Sequence, residues 1–236
     1  MNFGYYNMDC MEGMKKFPDK YFDLAIVDPV YGDVKAGGYM TGKSKCGVGP
    51  HPNYDYSIWS QPKTDKAYFS ELFRVSKNQI IFGGNYFVEE IARNSTCWIV
   101  WDKCNGNTYW ADCELAWTSF NKSVRLFRYM WNGMMQGSSV EHGDIAQGNK
   151  ALNEKRIHPT QKPVALYSWI IREFAQPGWK ILDTHVGSGS SLIAFSDAGM
   201  DFVGFEKEQS YYEKSAERLK QHKAQITLFD CGMERN

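Results

Sequence analysis

Apolar and polar positions follow two rhythms along the chain. "FDLAIVD", Phe22 to Asp28, is a nearly unbroken apolar run, as in a strand buried on both faces. Asn78 to Gly84 and Cys97 to Asp102 read as two more strands, with a short helix expected near "YFVEEIAR" between them. "AYFSELFRVS" puts Tyr68, Phe69, Leu72 and Phe73 on one helical face. "PVALYSWIIREFA" does the same with Tyr167, Ile170, Ile171 and Phe174, and Pro163 suits its first turn. "WKILD", "SSLIAFSDAG", "DFVGFE" and "EQSYYEKSAERLKQHK" then alternate strand, helix, strand and helix, with Gly199 as a helix-terminating glycine. This alternation predicts an α/β fold, a mostly parallel sheet with helices on both faces. Cys113 to Trp131 reads as two β-rich runs about a turn at Asn121, Lys122 and Ser123. Such a hairpin would give the sheet an antiparallel edge.

A chain of 236 residues, 43% apolar, can bury one sizeable core, so a single domain over 1–236 is expected. Two glycine-containing stretches fit no element: a flexible loop over 32–57 and a small insertion over 132–157. Loops this long in a compact domain are commonly functional. The 27 basic and 27 acidic residues cancel, so a nucleic-acid partner would need a local basic surface. The six cysteines form no C-x-x-C pair and no zinc-ligand spacing, so no metal is expected. No apolar run approaches the ~18 residues of a membrane helix, and the N-terminus lacks the apolar core of a signal peptide. A cytoplasmic protein with reduced thiols and no membrane partner is the expectation.

"WKILDTHVGSGSSLIAFSDAGMDFVGFEKE" is the most organised stretch. A strand ending at Asp183 meets Gly187-Ser188-Gly189, then a helix, then a strand ending at Glu206. Glycines at a strand-to-helix turn let backbone approach a ligand, and the helix N-terminus favours an anionic group. An acid at the next strand end can accept hydrogen bonds from both ribose hydroxyls. The third glycine of the dinucleotide fingerprint is missing, since Ser190, Ser191 and Leu192 follow. A nucleoside cofactor without pyrophosphate, such as S-adenosylmethionine, fits better than a dinucleotide.

The second chemical stretch is Asp28-Pro29-Val30-Tyr31. At the C-terminal end of a parallel strand these groups would line the crevice where open α/β sheets bind ligands. The Asp28 carboxylate and the Pro29 carbonyl are two acceptors for the two hydrogens of an exocyclic amine. Tyr31 offers a ring on which a planar base can stack. Acceptors on both hydrogens favour the pyramidal nitrogen of an attacking amine, which is transition-state stabilisation by fixed dipoles. A base in a duplex must be flipped out to reach them.

These motifs resemble those of the β-class amino-methyltransferases of DNA, in which Asp-Pro-Pro-Tyr precedes the glycine loop. "NMDC" (Asn7 to Cys10), "DPVY", "HPTQKP" (His158 to Pro163) and "DTHVGSGSS" (Asp183 to Ser191) carry the match in that order. The resemblance implies that Asp28 and the Pro29 carbonyl hold the target amine while Tyr31 stacks on its base. It implies a cofactor pocket from Asp28, Asp183, Thr184, Gly187 and Gly189, with Ser190 or Ser191 near the cofactor carboxylate. Glu206 would hold the ribose, Asp9 would lie near the adenine, and Lys162 near the methionine end. Val30 departs from the family's second proline, and Thr184-His185 stand where Pro-Phe is commoner; His185 is read as a packing residue.

In the family, Asp at the head of the catalytic motif goes mostly with adenine, so adenine in double-stranded DNA is the expected substrate. Cytosine-N4 methylation, methylation of RNA or a protein amide, and a non-catalytic DNA- or cofactor-binding homologue are the alternatives, the last resting on Val30. Lys35, Lys43 and Lys45 are expected to meet DNA, with Arg125, Arg128, Lys150, Lys155 and Arg156 as second candidates. The resemblance also allows a homodimer.

Overall fold

The computed structural model describes residues 1–32, 62–105, 111–131, 136–137, 153–158 and 160–233. The expected loop over 32–57 lies outside them apart from Gly32, and so does most of 132–157. Lys35, Lys43, Lys45 and Lys150 fall there as well.

Ten strands are described: β1 (Gly4–Asn7), β2 (Phe22–Val27), β3 (Ser76–Phe82), β4 (Trp98–Asp102), β5 (Cys113–Thr118), β6 (Arg125–Arg128), β7 (Met130–Trp131), β8 (Gln136–Gly137), β9 (Lys180–Asp183) and β10 (Asp201–Glu206). The helices are α1 (Cys10–Met14), α2 (Lys66–Val75), α3 (Val88–Ile91), α4 (Val164–Phe174), α5 (Ser190–Asp197) and α6 (Gln209–Met233). Among the described residues, eight strands form one sheet in the order β1-β10-β9-β2-β3-β5-β4-β6.

The apolar run of β2 is buried on both faces because helices lie on both. Leu24 and Ile26 join a cluster with Leu166 and Ile170 of α4 and Leu192 and Phe195 of α5. Ala25 and Val27 point the other way, against Met14 of α1, Phe69 and Leu72 of α2, and Ile91 of α3. The capping is local and legible. Asp65 accepts the Tyr68 amide to start α2, and Asp9 accepts the Met11 amide to start α1. Pro163 stands one place earlier than expected, as the N-cap of α4 rather than inside its first turn.

The expected hairpin over 113–131 is not formed. β5 pairs antiparallel with β4 on one side and β3 on the other. β6 crosses to the far side of β4, where it runs parallel as the sheet edge. The antiparallel strand is therefore internal, and the hairpin in the sheet is β4–β5. The reason is side-chain burial: Ala116, Trp117 and Thr118 of β5 are buried, whereas β6 leaves Leu126 58% exposed. A strand with that much core surface is worth more between two partners than at an edge.

The sheet has a switch point between β9 and β2. From β2 the chain steps outward to β3, and from β9 it steps the other way to β10. β9 and β2 are parallel neighbours, with Leu24 opposite Ile181 and Ala25 opposite Leu182. Their C-terminal ends diverge into loops on opposite faces, which opens the crevice where ligands of such sheets bind.

Candidate active site

Four adjacent parallel strands end on this crevice, and each presents one of the acids picked out in the sequence. Asp9 follows β1, Glu206 ends β10, Asp183 ends β9 and Asp28 follows β2. The motifs from the two ends of the chain are thus brought together across β9 and β2.

The glycine loop between β9 and α5 is held from three sides. Asp183 is buried, its Oδ1 accepting the His185 amide at 2.9 Å and its Oδ2 the Ser191 hydroxyl at 2.5 Å. Burial pushes its carboxyl up to about 7, against those two donors. The Thr184 hydroxyl lies 2.6 Å from that of Tyr68 on α2. Glu206 accepts the Gly187 amide at 2.9 Å through Oε2 and the Glu208 amide at 2.8 Å through Oε1, and burial raises its pKa. Gly189 takes φ +77° at the N-cap of α5, a left-handed turn that glycine adopts without steric cost. No side chain caps α5, so its first-turn amides have no side-chain acceptor from the N-cap. That opening suits the carboxylate of an amino-acid cofactor.

The Ser190 and Ser191 hydroxyls are turned inward. Ser191 serves Asp183, and Ser190 accepts from Arg218 at 2.9 Å. Asp9 lies beside the end of β10, paired with Lys207 at 3.1 Å. Burial alone would raise its pKa, but Lys207 and the Met11 amide outweigh it and hold the carboxyl below its usual range.

Around Asp28 both carboxylate oxygens have donors. The Tyr31 hydroxyl donates to Oδ1 at 2.5 Å, and the Lys162 ammonium pairs with Oδ2. Burial and the Asp28 charge hold the Tyr31 phenol well above its ordinary pKa, so it remains a donor. Pro29 is buried, and the Val30 carbonyl accepts from the Thr64 amide at 3.0 Å and from its hydroxyl at 3.1 Å. Val30 thus leaves the turn fixed through its own carbonyl. Lys162 is 4% exposed, not a solvated lysine, and its ammonium sits 4.7 Å from the Phe82 ring centre.

The chain was compared with known proteins. The family model described as DNA methylase, of the N6/N4 type, matches residues 102–217. The type II methyltransferase M.HinfI of Haemophilus influenzae is 24% identical over 243 residues, spanning 91% of this chain and 67% of its own. Together these matches support an amino-methyltransferase of the N6/N4 family. Two solved structures share this fold. One is the M1.HpyAVI–SAM complex, with TM-score 0.55, 20% identity, and 92% of this chain and 98% of that one covered. The other is PvuII DNA methyltransferase, described as cytosine-N4-specific, with TM-score 0.55, 13% identity, and 96% and 93% covered.

Several residues of the crevice carry little signal in the sequence. Tyr86, in the 3-10 turn after β3, stacks on Tyr31 with ring centres 5.0 Å apart and planes at 23°. Gly83 packs so closely against Tyr31 that a Cβ there would fall 2.3 Å from its ring. The signal was "FGGNYF": two glycines and an aromatic at the end of a buried strand on the same sheet edge as "DPVY". The apolar periodicity puts Tyr68 on a helix face and says no more, and Glu114, which pairs with Lys162 at 3.3 Å, falls in the hairpin expected over 113–131. Of the basic residues expected to meet DNA, Arg128 pairs with Asp102 at 3.0 Å, and Arg156 donates to the Trp131 carbonyl at 2.7 Å. Among the described residues no helix is long and apolar enough to cross a membrane, and no cluster of metal-ligating side chains occurs.

Proposed function

We propose that this chain methylates the N6 amine of adenine in double-stranded DNA, with S-adenosylmethionine as donor and the base flipped out of the helix. The observation that carries the reading is the meeting of Asp28 with the Asp183–Gly189 loop on adjacent strands at the switch point. When bound, S-adenosylmethionine supplies a methyl group activated by its sulfonium.

The protein's part is binding, orientation and charge. The loop backbone and the open start of α5 receive the amino-acid end of the cofactor, and Glu206 and Asp9 line the side that takes ribose and adenine. Tyr31 and Lys162 fix the Asp28 carboxylate at the end of β2. An amine held by Asp28 and the Pro29 carbonyl presents its own lone pair toward the cofactor, as an in-line transfer requires. The aromatic pair Tyr31–Tyr86 gives the base an apolar wall.

Adenine is favoured by the resemblance to Asp-led catalytic motifs; the acceptor pair would hold the amine of cytosine equally well. The test is transfer of label from the cofactor to DNA, followed by digestion to nucleosides and mass spectrometry. N6-methyladenine is expected, and N4-methylcytosine would overturn the base assignment. Asp28→Ala is expected to abolish transfer while keeping cofactor binding; full activity in that variant would sink the role given to Asp28.

A further inference from the structure

Glu114 lies near the start of β5, where that antiparallel strand reaches the catalytic edge of the sheet. Its Oε1 is 2.5 Å from the Lys103 ammonium, and its Oε2 is 3.3 Å from that of Lys162. Oε2 is shielded from solvent and accepts no hydrogen bond among the described residues. Lys162 in turn pairs with Asp28, and Asp28 with the Tyr31 hydroxyl. Charges therefore alternate along a chain from Lys103 through Glu114 and Lys162 to Asp28, gathered from β4, β5, the start of α4 and β2.

A buried ammonium with one counter-ion is poorly compensated. Removing one partner of a buried pair leaves a charge the interior cannot solvate, and the group responds by moving or losing its proton. Two carboxylates on one ammonium remove that risk, and the ammonium cancels their mutual repulsion. We propose that Glu114 is a positioning residue, anchoring the Lys162 ammonium so that it holds the Asp28 carboxylate at the target amine. This inference rests on the reading of Asp28 as the amine-holding group.

The surroundings give the proposal a signature in pH. Burial alone would lower the pKa of Lys162, but Asp28 and Glu114 together hold it above the ordinary lysine value. The other groups that sense Asp28 do not titrate on the alkaline side below Lys162. Tyr31, Tyr68 and Tyr167 are raised well above the usual phenol value by burial. His158 and His185 are depressed to about 4, and Asp183 is raised to about 7, each by burial. Taking the charge from Glu114 should therefore bring forward the pH at which Lys162 loses its proton.

The experiment is the pH profile of kcat for wild type and Glu114→Gln, with labelled cofactor and DNA. Glu114→Gln is expected to lower kcat about tenfold or more while leaving the KM for cofactor within about twofold. Its alkaline limb is expected to fall about one pH unit lower. An unchanged profile with wild-type kcat would overturn the proposal. If Glu114→Gln fails to fold, Glu114→Asp takes its place. Its shorter arm draws the carboxylate back from Lys162, so a smaller shift in the same direction is expected and none would overturn the idea. If the wild type transfers no methyl group, the methylase reading fails on its own. The bridge is then read directly by NMR titration of Lys162 in lysine-labelled protein, where an equal pKa in wild type and Glu114→Gln counts against it.

Discussion

The carboxylate of Glu206 accepts two backbone amides, Gly187 at 2.9 Å and Glu208 at 2.8 Å. One side chain at the end of β10 therefore shapes both the glycine loop and the turn into α6. Glu206→Ala strands both donors, and cofactor affinity is expected to fall about tenfold or more, since a partly buried unsatisfied amide costs about 1–3 kcal/mol. Glu206→Gln keeps one acceptor and should lose less. Calorimetric titration with S-adenosylmethionine checks the order.

Tyr86 is 40% exposed and stacks on the partly buried Tyr31, so under the proposed function it is the ring an incoming base meets first. Tyr86→Ala is expected to weaken base capture by about 1–3 kcal/mol, the range for base–aromatic stacking, with Tyr86→Phe close to wild type. A fluorescent adenine analogue at the target position reports the flipped population. Equal fluorescence change in wild type and Tyr86→Ala would remove Tyr86 from the base pocket.

Two histidines tie stability to pH. His158 and His185 are depressed by burial from 6.5 to about 4. Between those values the unfolded chain binds protons that the folded one does not, so their contribution is whole above pH 6.5 and is lost as pH falls through 4. It amounts to roughly 1–3 kcal/mol for each. Asp183 runs the other way. Raised to about 7 from 3.8, it favours the fold below pH 3.8 and loses that contribution as pH rises through 7. Thermal denaturation from about pH 4.5 to about pH 8 is expected to peak in between, and His185→Asn to flatten the acid side.

Val30 occupies the place of the family's second proline, and its carbonyl is held by Thr64. Proline would keep that acceptor and stiffen the turn. Val30→Pro is therefore expected to change kcat by less than about tenfold, whereas a rise of several orders of magnitude would mean that valine cripples the site.

Local chemistry made much of this legible. The unbroken apolar run of β2 announced a strand covered on both faces, and Gly187 and Gly189 announced a strand-to-helix turn with room for a ligand. The pairing of β5 was not legible. Strand partners are chosen by burial across the sheet, and "CELAWT" and "RLFR" are both plausible arms of a local hairpin. With β5 misplaced, Glu114 could not be seen beside Lys162. Lys162 itself gave no physical sign of burial, because an ammonium enters an interior only when distant carboxylates meet it there. Tyr86 was hidden because its role depends on the stacking face of Tyr31, more than fifty positions earlier.

The switch point also orders events during synthesis. Among the described residues β1 has β10 as its only partner in the sheet, and β2 has one side open until β9 arrives. Asp28 leaves the ribosome long before Lys162, 134 positions behind it, and longer still before the glycine loop. A partly made chain therefore carries exposed strand edges and an Asp28 with no glycine loop beside it. β9 and β10 enter between β1 and β2, so the last of the described strands to be made both close the sheet and bring the glycine loop to Asp28.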